Sequence, residues 1–365
     1  MAGISRTGIF KEKLSPFLAK KLARIKDNIG EQSQDYKALA LQYLKHESES
    51  ILEAEANLKH WEADLRIGHE GELKGIERLY RQSAVIEPTM ICAAHCRYCL
   101  RANYEVFTLS DNEITKIAIY CGSIAVKEHL SEVLITGGDP LVTPKKLKFL
   151  IESLIEKAPN IRRIRIGTRL PLQDPNRVDN NIFEIFRQQK DKVTFEIGTQ
   201  INHSIELFPE SVEIFKKIHS LGIKIYSQNI LLRGVNDSAL ELVSLYEKLR
   251  ELDIEAHYLF HCVPMIGMHH LRTTVKRGID LAKELTNSGK ISGRIKPMFA
   301  LMTDIGKITL YDGTIIDKDI NNRILLQSSY SYEERMKWNP GWILPLNAQV
   351  DENGLLRVWY LDGSE

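Results

Sequence analysis

Short apolar runs alternate with amphipathic segments from about residue 84 to residue 288. The runs predict six strands, at Ala84–Glu87, Glu132–Thr136, Arg162–Gly167, Val193–Ile197, Lys224–Gln228 and Ala256–Phe260. The segments between them predict helices near 112–128, 144–158, 180–189, 209–220, 238–251 and 273–288. This alternation indicates βα units and a parallel sheet that forms a full or partial barrel. Because such folds carry their chemistry beyond the carboxyl ends of the strands, a functional motif is expected directly after a strand.

Two further regions flank this pattern. Residues 1–80 are predicted to be helical, since Tyr36–Ile76 is rich in Leu, Ala, Glu and Lys with apolar spacings of three and four. Near the other end, Ile308–Ile316 and Leu355–Leu361 are predicted strands. The fold class is therefore α/β: a partial (β/α)6-type barrel over residues 81–303, with an N-terminal helical extension (1–80) and a small β-containing C-terminal appendage (304–365).

Composition narrows the function classes. The 365 residues hold 49 Lys and Arg against 48 Asp and Glu, a net charge of +1, which gives no support for nucleic-acid binding. No uncharged apolar run approaches about 18 residues, so no membrane-spanning helix is expected. The first residues lack the apolar core of a secretory signal. Five cysteines, three of them within eight residues, do not form a disulfide framework, and we predict a cytoplasmic location.

The strongest chemical motif is the cysteine loop directly after the first predicted strand. Cys92, Cys96 and Cys99 are separated by three and two residues. Three thiolates can hold three irons of a [4Fe–4S] cluster and leave the fourth iron open to S-adenosylmethionine (SAM), whose reductive cleavage yields a radical able to remove hydrogen from unactivated carbon. The alternatives are a zinc site completed by His95 or a distant cysteine, and three structural cysteines.

The chain resembles the lysine 2,3-aminomutase family of the radical-SAM superfamily. This family uses SAM, a [4Fe–4S] cluster and pyridoxal 5′-phosphate (PLP). The resemblance covers roughly residues 78 to 330. It rests on a series of motifs in one consistent order: Cys92–Arg101, Ile135–Leu141, Arg165–Pro171, Asn202–His203, Gln228–Asp237 and His270–Thr273.

The resemblance gives the turn after the second strand a role at SAM. Thr136, Gly137, Gly138 and Asp139 form this turn, and in the family it contacts the amino group of SAM. Glycines suit such a position because the backbone can approach a ligand closely. The alternative is a tight βα turn in which Asp139 caps the next helix.

Three further polar residues come at the ends of later strands. Arg169 follows the third strand, His203 follows the fourth, and Gln228 ends the fifth. The resemblance implies that they lie on the SAM side, with Arg169 anchoring a carboxylate or holding the cysteine loop. The alternative for each is a buried, hydrogen-bonded polar residue.

The resemblance also implies residues for PLP and the substrate. Lys307 stands at the position of the family's PLP Schiff-base lysine, although the family has more residues, often several glycines, before it, and here Gly306 stands alone. Arg101 is implied to bind the substrate α-carboxylate, which a bidentate guanidinium suits. Arg81 is a candidate for the PLP phosphate, with its alignment shifted.

The chain departs from lysine-specific members at the substrate side chain. Those members place two aspartates around the distal ammonium, and Val263 and Met302 stand in their places here. An unpaired buried ammonium is costly, so lysine is not expected to be the substrate, and an apolar or neutral side chain fits better. Asp304 could serve as a displaced acid. No cysteine follows Cys262, so the structural zinc of some relatives is not expected.

The resulting hypothesis is a radical-SAM, PLP-dependent aminomutase that moves the α-amino group of an L-amino acid to the β-carbon. The alternatives are a radical desaturase, lyase or deaminase with the same cofactors, an enzyme whose product modifies a protein, and a non-enzymatic iron–sulfur module. The implied partners are an amino acid and an electron donor such as flavodoxin or ferredoxin. Neither nucleic acid nor a membrane is expected, and the formation of a homo-oligomer is left open.

Overall fold

The computed structural model describes residues 11–50, 56 and 73–364. Its larger sheet has nine strands that neighbour one another in chain order. Strands β2 to β8 are parallel, and β1 and β9 pair antiparallel with them at the two edges. The strands are β1 (Ile76–Glu77), β2 (Ser83–Thr89), β3 (Glu132–Gly137), β4 (Arg163–Gly167), β5 (Thr194–Thr199), β6 (Lys224–Leu231), β7 (Glu255–His261), β8 (Met298–Thr303) and β9 (Gly306–Thr309). The predicted partial α/β barrel is confirmed, and all six predicted strands are present as β2 to β7.

Helices connect the parallel strands. Each predicted helix is found within a few residues of its expected bounds, except that the segment near 112–128 is broken at Gly122 and Ser123 into two helices. The helices are α1 (Pro16–Ile29), α2 (Gln34–Tyr43), α3 (Asp111–Cys121), α4 (Ile124–Lys127), α5 (Pro144–Lys157), α6 (Leu170–Gln173), α7 (Asn180–Gln189), α8 (Pro209–His219), α9 (Ala239–Glu251), α10 (Val275–Asn287) and α11 (Tyr332–Trp338).

The two faces of the large sheet differ in chemistry. One face packs against the helices and forms the main core, with residues such as Ile86, Ile166 and Leu259 fully buried. Since side chains alternate along a strand, the intervening residues line the inside of the barrel. Tyr258 and Phe260 belong to a separate apolar cluster on that inner face. The inner face of the sheet therefore carries two aromatic side chains on β7.

The C-terminal region forms a second, antiparallel sheet of four strands in the order β10-β11-β13-β12. They are β10 (Ile315–Lys318), β11 (Arg323–Ser331), β12 (Ala348–Val350) and β13 (Leu355–Leu361). The strand predicted at Leu355–Leu361 is confirmed. The single strand predicted over Ile308–Ile316 is wrong, because a turn with Gly313 at φ +75° divides it between β9 and β10. The domain boundaries at residues 80 and 303 stay a prediction.

Two helices, α1 and α2, lie before the barrel. Ser15 caps α1 by accepting a hydrogen bond from the backbone N–H of Leu18, and Pro16 occupies the first turn, where its missing N–H is tolerated. The helix predicted over Tyr36–Ile76 is confirmed up to Tyr43, where α2 ends, and is wrong at Ile76, which begins β1. Its stretches 51–55 and 57–72 lie outside the described residues. Among the helices described, none is long and apolar enough to cross a membrane.

Candidate active site

The cysteine loop leaves the end of β2 and is held by the glycine turn at the end of β3. Gly138 donates its backbone N–H to the carbonyl of Thr89 at 2.8 Å, and Asp139 donates to that of Ile91 at 2.9 Å. A Cβ on Gly138 would lie 2.4 Å from the carbonyl carbon of Met90, and one on Gly137, which has φ +106°, would lie 2.6 Å from the Thr89 oxygen. The turn that begins after Thr136 therefore needs two glycines to support the base of the loop.

The carboxylate of Asp139 joins this turn to the loop after β4. It accepts hydrogen bonds from the hydroxyl of Thr168 and from the backbone N–H groups of Leu141, Arg169 and Leu170, at 2.8 to 3.0 Å. Burial raises the pKa of Asp139 to about 6, and these donors oppose that shift. The Asp139 side chain therefore connects the ends of β3 and β4. The SAM contact of this turn is a separate expectation that the resemblance implies.

The N-terminal segment holds the cysteine loop from the other side. Lys13 donates from Nζ to the carbonyl of Cys92 at 2.6 Å, and Arg97 donates its backbone N–H to the carbonyl of Gln42 at 2.8 Å. Arg97 also forms a buried ion pair with Glu49, with Nε 2.8 Å from Oε1. Sequence reasoning missed Lys13, Gln42 and Glu49 because no motif connects them to the cysteines.

Arg169 reaches the cysteine loop directly. Its guanidinium donates from NH1 to the Sγ of Cys96 at 2.7 Å, and Gln173 donates from Nε2 to the same sulfur at 3.3 Å. Arg169 therefore contacts the cysteine loop, and the same guanidinium also pairs with the carboxylate of Glu206.

His203 follows the end of β5, as predicted, whereas Gln228 does not end its strand, because β6 continues for three residues to Leu231. His203 is 2% exposed, its Nδ1 accepts from the backbone N–H of Ile205 at 3.2 Å, and its Nε2 lies 2.7 Å from Glu241. Both ring nitrogens are therefore occupied by protein groups. Gln228 is half-buried and pairs in register with Tyr258, on the inner face of the sheet.

The donor set of the loop is three thiols. Cys92, Cys96 and Cys99 are free and half-buried. No group of three or more His, Cys, Asp or Glu side chains within the described ranges could hold one metal ion. His95, the alternative zinc ligand, hydrogen-bonds through Nδ1 to the carbonyl of Lys11 at 2.7 Å. Three sulfurs of one loop are the donor set of a [4Fe–4S] cluster, whose ligands are spread over three irons.

Burial disfavours the thiolate form that iron requires. It raises the pKa of Cys92, and it raises the pKa of Cys99 to about 11, with nearby cysteines adding to both shifts. Since metal ligands must be deprotonated, iron binding has to release these protons.

Lys307 lies inside the barrel on β9. Its cross-strand partner in the β8–β9 hairpin is Met302, so the two side chains share the inner face. Nζ hydrogen-bonds to the hydroxyl of Tyr258 and lies 4.0 Å from the centroid of its ring. The rings of Tyr258 and Phe260 are 5.0 Å apart. A half-buried amine beside two aromatic rings fits a Schiff-base lysine and the ring of PLP.

Arg81 does not reach this amine. It is exposed, it precedes the start of β2, and its NH2 lies 3.1 Å from Nδ1 of His129, just before the start of β3. That is the amino-terminal end of the strands, opposite the cysteine loop. The structure thus gives no support to Arg81 as a ligand of the PLP phosphate.

Arg101 faces two carboxylates. Its Nε forms an ion pair with Glu87, and its NH2 lies 3.5 Å from Glu77. Burial alone would lower the pKa of Arg101, but the charges of Glu87 and Glu77 raise it above its ordinary value. Glu87 is 3% exposed and lies near the carboxyl end of β2. Sequence reasoning missed this acid, which lies outside every motif.

The residues that replace the two aspartates lie together. Val263 is buried, and half-buried Met302 packs against the same apolar cluster. Asp304, in the turn between β8 and β9, accepts from the side-chain amide of Asn347 at 2.8 Å. It borders a cavity of about 100 Å³ that Met302 and Asn347 also line. Asp304, the candidate for a displaced acid, is therefore hydrogen-bonded to the C-terminal region.

A parallel partial barrel with three thiols on the loop after its first parallel strand defines the radical SAM class of proteins. In agreement, the Radical SAM superfamily matches residues 86–246. This class implies a [4Fe–4S] cluster and SAM.

Comparison with curated proteins narrows the class. A provisionally named L-lysine 2,3-aminomutase of Aquifex aeolicus (strain VF5) is 30% identical over 296 residues, which are 80% of this chain and 73% of that protein. The L-lysine 2,3-aminomutases of Fusobacterium nucleatum and Clostridium subterminale are 28% and 26% identical, over 64% and 73% of this chain. The alignments span only 54% and 64% of those two relatives. The chain belongs to the lysine 2,3-aminomutase-like family of radical SAM enzymes.

Proposed function

We propose that this chain is a radical-SAM, PLP-dependent aminomutase that moves the α-amino group of an L-amino acid other than lysine to the β-carbon. The observation that carries the proposal is the position of Lys307 in the barrel. Its amine contacts Tyr258 on one strand and faces Met302, instead of an acid, across the hairpin.

The cofactors supply the difficult chemistry when bound: the cluster and SAM provide a radical that takes hydrogen from carbon, and PLP provides a conjugated system that spreads the unpaired electron. The chain supplies position. Cys92, Cys96 and Cys99 would hold the cluster, and Lys307 would hold PLP between aromatic walls. A low-potential electron donor such as flavodoxin or ferredoxin is the proposed partner.

The residues around Lys307 orient its amine and exclude water. The backbone N–H of Lys307 donates to the hydroxyl of Tyr80 at 3.0 Å, and Tyr330 donates to its carbonyl at 2.5 Å. These bonds fix the strand on both sides of the side chain. The Tyr258 hydroxyl, bonded to Nζ, is the group next to the amine when a proton leaves or returns there.

The proposed substrate class follows from the pocket wall. Val263 and Met302 offer no charge to a distal ammonium, and leaving such a charge buried and unpaired would cost several kcal/mol. Asp304 is hydrogen-bonded to Asn347. The wall therefore favours an amino acid whose side chain is apolar or neutral.

The test is anaerobic reconstitution of the chain with iron, sulfide, PLP and SAM, followed by a screen of amino acids. We expect release of 5′-deoxyadenosine and a product of the same mass as the substrate, with nitrogen on the β-carbon. Lys307→Ala should lose the visible absorption of bound PLP and the isomer while keeping iron, since the contacts described for Lys307 are with Tyr80, Tyr258 and Tyr330 and not with the cysteines.

The remaining outcomes would each overturn a part of the proposal. Robust turnover of L-lysine contradicts the substrate class. A product of altered mass points to a desaturase, lyase or deaminase. Failure to cleave SAM after reduction points to an iron–sulfur module without activity. Retained PLP absorption in Lys307→Ala contradicts the role of Lys307.

A further inference from the structure

Arg169 is held so that one donor is directed at a cysteine sulfur. Its Nε donates to the carbonyl of Gln200 at 2.9 Å, and its NH2 forms a buried ion pair with Glu206. NH1 then donates to the Sγ of Cys96 at 2.7 Å. A planar guanidinium has a fixed set of donor directions, so fixing two nitrogens determines where the third points.

Aromatic rings flank the same guanidinium. Its central carbon lies 5.3 Å from the ring centroid of Tyr43 and 5.4 Å from that of Tyr98. The residue is 8% exposed. Within this setting water cannot screen the interaction with sulfur, and an electrostatic contact is stronger than it would be at the surface.

A second donor, on the short helix α6 that follows Arg169, reaches the same sulfur. Gln173 lies four residues after Arg169, and its backbone N–H donates to the Arg169 carbonyl at 2.9 Å. Residues at this spacing lie on one face of a helix. Nε2 of Gln173 is 3.3 Å from Cys96 Sγ, while its Oε1 accepts from the backbone N–H of Ala94 at 3.3 Å. The N-cap residue Arg169 and the last residue of α6, Gln173, thus present two side-chain N–H donors to one sulfur.

We propose that Arg169 and Gln173 are positioning residues that raise the reduction potential of the cluster through hydrogen bonds to the Cys96 sulfur. One-electron reduction of the cluster from the 2+ to the 1+ state adds negative charge that is shared by its sulfurs. Donors aimed at a sulfur therefore stabilise the reduced state more than the oxidised state, and hydrogen bonds to sulfur are one of the factors that set such potentials. The inference rests on the cluster and is independent of the amino acid substrate.

The test is a potentiometric titration of the reconstituted full chain, with dithionite as the electron source and the electron paramagnetic resonance signal of the reduced cluster as readout. In Arg169→Gln the ratio of reduced to oxidised cluster at a fixed potential should fall about tenfold, a shift of about 59 mV for one electron. Gln173→Leu should shift it in the same direction by less, because a neutral donor is weaker. Arg169→Lys should recover part of the loss, since it restores the charge without the planar donor set.

Potentials are compared only between samples with equal iron per chain, so a loosened loop is not mistaken for an electronic effect. Gln189→Leu is the matched control, since Gln189 is a buried glutamine on α7 without a hydrogen bond to the cysteines among the described contacts. If Arg169→Gln fails to fold, the midpoint potential of Gln173→Leu is compared with that of Gln189→Leu, and this comparison decides the outcome. Midpoint potentials of Arg169→Gln and Gln173→Leu that equal the control, or exceed it, overturn the inference.

Discussion

Replacing Gly138 with alanine would test how the glycine turn supports the cysteine loop. The added Cβ would lie 2.4 Å from the carbonyl carbon of Met90 and 2.5 Å from the backbone nitrogen and oxygen of Ile91. These are backbone atoms, so rotation of a side chain cannot relieve the clash. Ordinary contact begins near 3.4 Å, so the base of the loop must retreat by about 1 Å.

The size of the effect follows from two contributions. Overpacking of this kind typically costs about 1–3 kcal/mol. The retreat also strains the hydrogen bonds that Gly138 and Asp139 donate to the loop at 2.8 and 2.9 Å, each worth about 1 kcal/mol. We therefore expect a loss of about 2–5 kcal/mol in the free energy of unfolding. Cys92 would move relative to Cys96, which Arg169 and Gln173 hold, and metal–ligand distances tolerate only about 0.2 Å.

The assay is iron and sulfide per chain after anaerobic reconstitution, together with urea unfolding of the protein before reconstitution. Gly138→Ala should bind clearly less iron than the parent and unfold at lower urea. Gly293→Ala is the matched control, because nothing lies within 4 Å of its added Cβ. Equal iron loading and equal stability of the two variants would refute the reasoning about the turn.

Two further predictions concern buried titratable side chains, Glu87 and His261. Glu87→Gln should lower the KM for the amino acid substrate severalfold, because Arg101 loses the charged partner of its Nε. Steady-state kinetics with the amino acid that the enzyme turns over would measure this KM. A raised KM would contradict the prediction. Burial lowers the pKa of His261 from 6.5 to about 3, so below pH 6.5 only the unfolded chain takes up this proton, and the stability it contributes is lost as the pH falls toward 3. Between pH 6 and pH 5 the parent should therefore lose about 1.2 kcal/mol more than His261→Gln in urea unfolding, and parallel curves would contradict the assignment.

The barrel could be predicted because its signals are local. Each of β2 to β7 is a short β-branched or apolar run between polar segments, and each helix after them carries a regular apolar stripe. The errors lie where tertiary contacts decide. The run Ile308–Ile316 has strand composition throughout, but Gly313 takes a positive φ and turns the chain between two different sheets. Helix α2 stops at Tyr43, where that side chain and Gln42 become fully buried.

In the candidate site, too, the residues with a local sequence signal could be predicted and those brought together by tertiary contacts could not. The three cysteines are neighbours in the sequence, so their spacing made an iron–sulfur cluster the leading interpretation beside the zinc alternative. Their supports come from distant segments: Arg169 is 73 residues from Cys96, and Glu49 is 48 residues from Arg97. No periodicity or spacing connects such residues, and only the packing of α1, α2 and α6 around the loop brings them together.

The charges of the interior lead to one more step on substrate choice. The resemblance implies that Val263 and Met302 stand in the places of two acids, but motif matching does not find acids that enter from other strands. Glu77 and Glu87 come from β1 and β2, and together with Arg101 they form a group of net charge −1. On the proposed role of Arg101, an incoming carboxylate must displace one of these acids, and Glu87, paired with the guanidinium Nε, is the nearer rival. Binding would then require movement of the buried Glu87 side chain, and a substrate with a second carboxylate would meet added repulsion. On the proposed roles of Arg101, Val263 and Met302, the net charge of this group would disfavour a distal anion and the apolar wall would disfavour a distal ammonium. We therefore expect a substrate with a neutral side chain.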